Sequence, residues 1–346
     1  MKEMFDRTYV LTFAQKLLAI DSPSGYTHHA IAFLKKEAQT LGYKTALNEK
    51  GNLLIYVSGA SSEKTIGLSA HTDTLGLMVR SIKESGTLAL TTLGGPILPT
   101  LDGEYCRIIT RSNKVYSGTI LSTSPATHVY PDAASVPRDL EHLEVRIDEM
   151  VKNKEAVKKL GIANGDIVAI DPKTTVTENG FIKSRFLDDK ISVSVLFGVL
   201  QYLRKHDVKP NYDCIIMIST YEEVGHGASC MPKEVSELLA VDMGCIGLDL
   251  DCTEYDVSIC AKDSSGPYDY AMTSHLVKLA QKHDLHYALD IYPFYGSDVS
   301  AALRGGNDLR GALIGPGVHA SHGMERTHYE ALEQTMQLVL AYLCEA

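Results

Sequence analysis

Thr65-Ile66-Gly67-Leu68-Ser69-Ala70-His71-Thr72-Asp73 reads as a short buried strand running straight into ionisable side chains. It is only a few residues long, carries Ile and Leu and is bounded by turn-prone residues, as a buried strand would be. The same grammar recurs at Cys214-Ile215-Ile216-Met217-Ile218-Ser219-Thr220, a near-continuous apolar run with Glu222-Glu223 close behind it. Between the two, Lys190 to Leu203 sets Val195, Leu196, Val199, Leu200 and Leu203 along one helical stripe. Buried strands alternating with helices predict an α/β fold, a mixed central sheet with helices on both faces.

Working outward, the first forty residues read as two helices split by the turn-rich Asp21-Ser22-Pro23-Ser24-Gly25, with Leu41-Gly42 closing the second. Asn52 to Val57 is another short strand. From about Gly76 to Thr175 the texture changes to short strands punctuated by Thr, Gly and Pro, such as Arg107 to Thr110 and Val115 to Leu121, with one charged helical stretch around Glu141 to Leu160. The expected organisation is a discontinuous domain, residues 1–75 and 176–346, interrupted by an inserted β-rich, barrel-like domain over 76–175. Further strands are expected near Cys245 to Leu250 and Gly311 to Ile314, and helices near Ala271 to His283 and Glu330 to Cys344.

Hydrophobic residues at 45% and charged residues at 22% suit a chain of 346 residues with a large core. Lys and Arg number 33 against 43 Asp and Glu, a formal charge of -10 that opposes phosphate backbones and anionic lipid, so neither nucleic acid nor membrane is expected as a partner. No apolar stretch approaches the roughly eighteen residues a membrane span needs. Met1-Lys2-Glu3-Met4-Phe5-Asp6 lacks the basic-then-apolar order of a secretory leader, and a cytoplasmic location is expected. The cysteines, seven in number, are scattered and form no C-x-x-C pair, which fits reduced thiols. Thirteen histidines beside so many carboxylates make mixed nitrogen and oxygen ligation of zinc, cobalt or manganese the first chemistry to consider.

In open α/β sheets ligands gather where strands end. Four polar clusters stand at such places: His71-Thr72-Asp73, Asp188-Asp189, Glu222-Glu223 and the His319 to His328 stretch. Each has a plain structural reading. His71 and Asp73 can form a hydrogen-bonded turn, Asp188-Asp189-Lys190 can cap a helix, Glu222-Glu223 can be a solvated turn, and His319, His322 and His328 can be surface residues. Together, however, that many acids at the ends of core strands would suffer desolvation and mutual repulsion unless a cation sat among them.

The ordered set Ser69-Ala70-His71-Thr72-Asp73, Phe186-Leu187-Asp188-Asp189-Lys190, Glu222-Glu223-Val224-Gly225, Gly296-Ser297-Asp298 and Ser321-His322-Gly323 resembles the cocatalytic two-metal aminopeptidases, the family of the glutamyl aminopeptidases and the tetrahedral self-assembling aminopeptidases. The resemblance spans nearly the whole chain. It implies that His71 ligates one metal, Asp188 bridges two, and Glu223 and His322 complete the second ion's protein ligands. Glu222 would be the general base and Asp73 would steady His71. The remaining carboxylate on the first ion would be Asp242, after Leu239-Ala240-Val241, with Asp249 and Asp251 as rivals. Two divalent ions per subunit are implied, zinc first and cobalt or manganese next, together with short peptide substrates cleaved at the N-terminus. The insertion would be a dimerisation unit of a homo-oligomer, a dimer or a larger assembly. The chain departs from the family pattern at Thr74, where an acid is usual, and in a Glu222 to Ala228 turn one residue shorter than usual. Competing expectations are another two-metal amidohydrolase such as a deacylase or carboxypeptidase, a glycoside hydrolase using Glu222 and Glu223, and a catalytically silent assembly module.

Overall fold

The computed structural model describes residues 4–345. Residues 1–3, which begin the stretch read above for a leader, lie outside it. The chain divides into two compact units, one ending at Thr74 and resuming at Lys173, the other running from Leu75 to Pro172.

The larger unit is built on a mixed sheet with strands in the order Lys44–Leu47, Leu53–Val57, Tyr212–Ser219, Ser61–His71, Val235–Val241, Arg310–Val318, Val257–Asp263 and Gly266–Pro267. Its four central strands, Tyr212–Ser219 through Arg310–Val318, are parallel. Leu53–Val57 and Val257–Asp263 flank them antiparallel. Ile66, Leu68, Ile216, Ile218, Leu239 and Leu313 are all buried, as continuous apolar strands require when both faces are covered. Helices Leu187–Lys205 and Tyr329–Glu345 pack together on one face. On the other, Val299 and Ala302 of the short helix Asp298–Arg304 join a core cluster with Ile215, Met217, Leu238, Ala240 and Leu313. Leu187–Lys205 is buried nearly all round, which explains why its apolar stripe is so broad.

The parallel register sets where the chemistry falls. His71 pairs with Ser219 at the ends of adjacent strands, and Thr72 N donates to Ser219 O at 3.0 Å, so the loops carrying Asp73 and Glu222 leave the sheet side by side.

The smaller unit closes six strands into a barrel, in the order Gly76–Ile82, Leu88–Leu93, Leu143–Ile147, Val115–Ser122, Tyr105–Ile109 and Ile167–Ile170. Closure leaves no unpaired edge.

Two sequence expectations are corrected. The stretch Glu141 to Leu160 is helical only over Lys154–Leu160; before it, Leu143, Val145 and Ile147 are buried and alternate with Glu144 and Arg146, a period-two pattern that makes a strand. The Asn153 side chain then accepts from Ala156 N and starts the helix. Likewise only Gly244–Cys245 pairs as a strand in the 245–250 region, and the interior strand is Val235–Val241. Glu237 disguises it: this buried acid, satisfied by Lys64, Arg310 and the Tyr342 hydroxyl, breaks the apolar run.

No helix among the described residues is long and apolar enough to cross a membrane. All seven cysteines are free thiols, and Cys230 is the exposed one.

Candidate metal centre

His71, the last residue of its strand, points a fully buried imidazole into the acids. Its Nδ1 lies 2.9 Å from the backbone carbonyl of Asp73, and its Nε2 lies 3.0 Å from Asp188 Oδ1. A carbonyl can only accept, so Nδ1 carries a hydrogen. Burial opposes a charged ring, but hydrogen bonds to Asp188 and Asp73 with the charges of Glu222 and Asp242 push the imidazole well above its ordinary value. Nε2 therefore either donates a second hydrogen to the carboxylate or turns its lone pair to a cation. Either a proton or a bound cation lies between that nitrogen and that oxygen. Glu222 Oε2 and Asp242 Oδ2 face the same nitrogen at 3.7 and 3.9 Å.

Asp188 presents its second oxygen to His322, whose Nε2 is 3.5 Å away and also 3.7 Å from Glu223 Oε2. Asp188 thus stands between two histidine-centred groups. Donor atoms of His71, Asp188 and Glu223 lie within 4.8 Å of one another, and so do those of His71, Asp189 and Asp242. His322 reaches the cluster in a left-handed conformation, φ 64°, held by its backbone N–H to Glu325 Oε1 at 2.9 Å. The other Glu325 oxygen accepts from Asp188 N at 3.0 Å, so one buried carboxylate aims two neighbouring side chains.

Asp73 serves the site through both its backbone and its side chain. Its carbonyl meets His71, while its carboxylate, 3.5 Å from that ring, accepts from Ser24 Oγ at 2.5 Å, Glu222 N at 3.1 Å and Glu223 N at 3.3 Å. Asp298 braces the same loop from beneath, accepting from Ser219 Oγ at 2.7 Å and Ala228 N at 2.9 Å. Asp242 is backed by Gly315, where an added Cβ would lie 1.6 Å from Asp242 O.

Burial pushes the carboxyls of Glu222 and Glu223 well above the usual range, with neighbouring acids adding to it. Asp189 is raised for the same reasons. Burial also acts on Asp188, but hydrogen bonds to His322 and His71 outweigh it and hold that carboxyl low. Glu223 Oε1 is buried with no hydrogen-bond partner among the described residues. Imidazoles, clustered carboxylates and an unmatched carboxylate oxygen are a donor set that fits borderline-hard divalent cations.

Of the other expected candidates, Asp249 and Asp251 lie exposed in a loop, and His319 is exposed. His328 lies 2.7 Å from Asn179 O and accepts from Glu330 N, a structural cap. Sequence reasoning gave Asp189 no role of its own and passed over Glu325, Ser24 and Tyr295. Tyr295 donates to Met243 O at 3.3 Å beside Asp242. Only Asp189 had a signal, its place beside Asp188.

An α/β sheet that gathers two histidines and a crowd of buried acids at the ends of its parallel strands defines the class of metal-binding hydrolases. Within that class the chain belongs to the M42 glutamyl aminopeptidase family, whose profile matches residues 51–338, and it is a peptide hydrolase, an aminopeptidase. It is 44% identical over 330 residues, 95% of each chain, to YhfE of Bacillus subtilis (strain 168), a protein provisionally named an aminopeptidase. In fold it is similar to aminopeptidase APDkam598 from the archaeon Desulfurococcus kamchatkensis (23% identity, TM-score 0.87, 98% of this chain and 96% of that one). It is also similar to the TET1 peptidase of Pyrococcus horikoshii (21% identity, TM-score 0.84, 97% and 100%), described as assembling into a tetrahedron or a large octahedral shell. Membership stands against the glycoside hydrolase reading.

Proposed function

We propose that the chain removes N-terminal residues from short peptides at a two-metal centre, with His71, Asp188 and Asp242 on one ion and Asp188, Glu223 and His322 on the other. When bound, the ions supply Lewis-acid polarisation of the peptide carbonyl and lower the pKa of water. Zinc is the first candidate for this nitrogen and carboxylate set, with cobalt or manganese next.

Glu222 is the general base in this reading. Its side chain is 14% exposed against 4% for Glu223, so it is the acid of the pair that meets arriving substrate and water. Glu222 takes a proton from water and returns it to the departing nitrogen. Asp73 fixes the backbone of both glutamates, and Glu325 fixes the backbones of Asp188 and His322. The observation that carries the proposal is the His71 ring, clamped by the Asp73 carbonyl with its other nitrogen turned into the acids.

The Leu75–Pro172 barrel is proposed as the element through which copies of the chain associate, a reading supported by the assembly described for the Pyrococcus relative. A reducing, cytoplasmic setting is supported by the free thiols.

Glu222→Gln should keep its metal and lose about 10²- to 10⁴-fold in turnover of aminoacyl chromogenic substrates. An N-terminally acetylated peptide should resist the wild-type enzyme; its ready cleavage would move the assignment to a deacylase or endopeptidase. Adding zinc, cobalt or manganese back to stripped protein identifies the active metal.

A further inference from the structure

The turn that carries Glu222 is held from outside as well as by its own bonds. Its return limb offers three acceptors, His226 O, Gly227 O and Ser229 Oγ, and the Lys50 ammonium donates to all three, at 3.1 Å for Gly227 and 3.0 Å for Ser229. An ammonium has three hydrogens, so each is committed. Asn52 adds a bond from Nδ2 to Gly227 O at 3.0 Å, while its Oδ1 accepts from Thr220 Oγ1 at 2.8 Å at the start of the same turn. Lys50 also lies 5.9 Å from the centre of the Tyr221 ring, which stacks on His226 at 4.9 Å.

The clasp is itself rigid. Asn48 Oδ1 accepts from Lys50 N at 3.1 Å and Asn52 N at 2.9 Å, and Gly51 N closes onto Asn48 O at 3.0 Å. The hairpin tip joining Lys44–Leu47 to Leu53–Val57 therefore grips both ends of the Thr220–Ser229 segment. Asp73 and Asp298 hold the same segment from the sheet side.

We infer that Lys50, supported by Asn52, is a positioning residue for Glu222: by pinning the carbonyls of His226 and Gly227 it fixes the turn from which the general base projects. The inference rests on the proposed role of Glu222. Lys50 touches neither the reacting atoms nor a proposed ligand side chain, so its loss acts on the chemical step through the geometry of the turn, while Glu223 on the same turn keeps its own anchor in Asp73.

The test compares Lys50→Met, Lys50→Arg and Lys50→Gln with the wild type in kcat, KM, metal content and thermal melting. Lys50→Met should keep its metal and a KM within about twofold while kcat falls about tenfold, since small misplacements of a catalytic group are costly. Lys50→Arg, which keeps charge and several donors, should recover most of the loss. Lys50→Gln falls between, and it replaces the methionine variant if that one does not fold. A kcat within twofold of wild type in the neutral variants, an arginine variant no better than they are, or a loss confined to KM or metal content overturns the inference. Glu222→Gln run alongside separates the failures: normal turnover there removes the base and this inference with it. Loss there beside normal kcat in the Lys50 variants removes only the positioning role.

Discussion

Asp73 accepts the backbone N–H of Glu222 at 3.1 Å with the same carboxylate that takes the Ser24 hydroxyl. The loop after one parallel strand is thus fastened to the loop after its neighbour. Asp73→Asn would turn a donor, or a weaker acceptor, towards N–H groups that need an acceptor. A loss in kcat of about 10²-fold is expected, as for a general base shifted off its line, with the fold retained. Steady-state kinetics beside circular dichroism checks this, and full activity in the variant would sink it.

His322 and His71 serve different sides of Asp188. His322→Ala should therefore lose the ion on the Glu223 side and keep the one on the His71 side, halving the metal content. Elemental analysis after dialysis measures this; unchanged stoichiometry would remove His322 from the ligand set.

Gly315 matters for what it backs onto. Gly315→Ala would drive a methyl into the carbonyl of Asp242, 1.6 Å away, and backbone cannot rotate aside as a side chain can. We expect weakened binding of the first ion and a destabilisation of about 1–3 kcal/mol. Gly247→Ala, whose Cβ would meet nothing within 4 Å, is the matched control and should melt like the wild type.

Metal-stripped protein should become less stable as pH rises. Burial, then the charge of Asp188, pushes Asp242 up to about 7 and Glu325 up to about 8, against about 4 for such groups in an unfolded chain. An acid whose folded value is raised binds its proton more tightly in the native state, so its contribution is full below the unfolded value and lost as pH climbs through the folded one. Melting temperature in chelator should therefore fall between about pH 5 and pH 8, and added divalent metal should flatten the slope by binding the native state. Parallel curves with and without metal would contradict this.

The central strands were legible where short stretches rich in Ile, Leu or Met stand between turn-prone residues, as at Thr65 to Ala70 and Cys214 to Ser219. Of Val235–Val241 only Leu239-Ala240-Val241 stood out, through the family resemblance, because a buried ion cluster around Glu237 mimics a polar break before it. Composition and spacing left His71, Asp188, Glu222, Glu223 and His322 each with a structural alternative; it was their order, through the family resemblance, that singled them out. Glu325, Ser24 and Lys50 escaped because they act by hydrogen bonds across 49 to 179 positions of chain, for which local sequence carries no signal. Asp73 shows the same limit at short range: the residue was found, but not that its carbonyl and its carboxylate serve different partners.

The strand Arg310–Val318 lies inside the sheet, between Val235–Val241 and Val257–Asp263, although it is the last of the sheet to be synthesised. The loop bearing His322 follows it directly. A growing chain on the ribosome therefore has neither this sheet finished nor all of its proposed ligands until the segment 310–322 has emerged, and such long-range closure is slow. On the proposed ligand set, a fragment that stops before His322 should leave the peptides around it untrimmed.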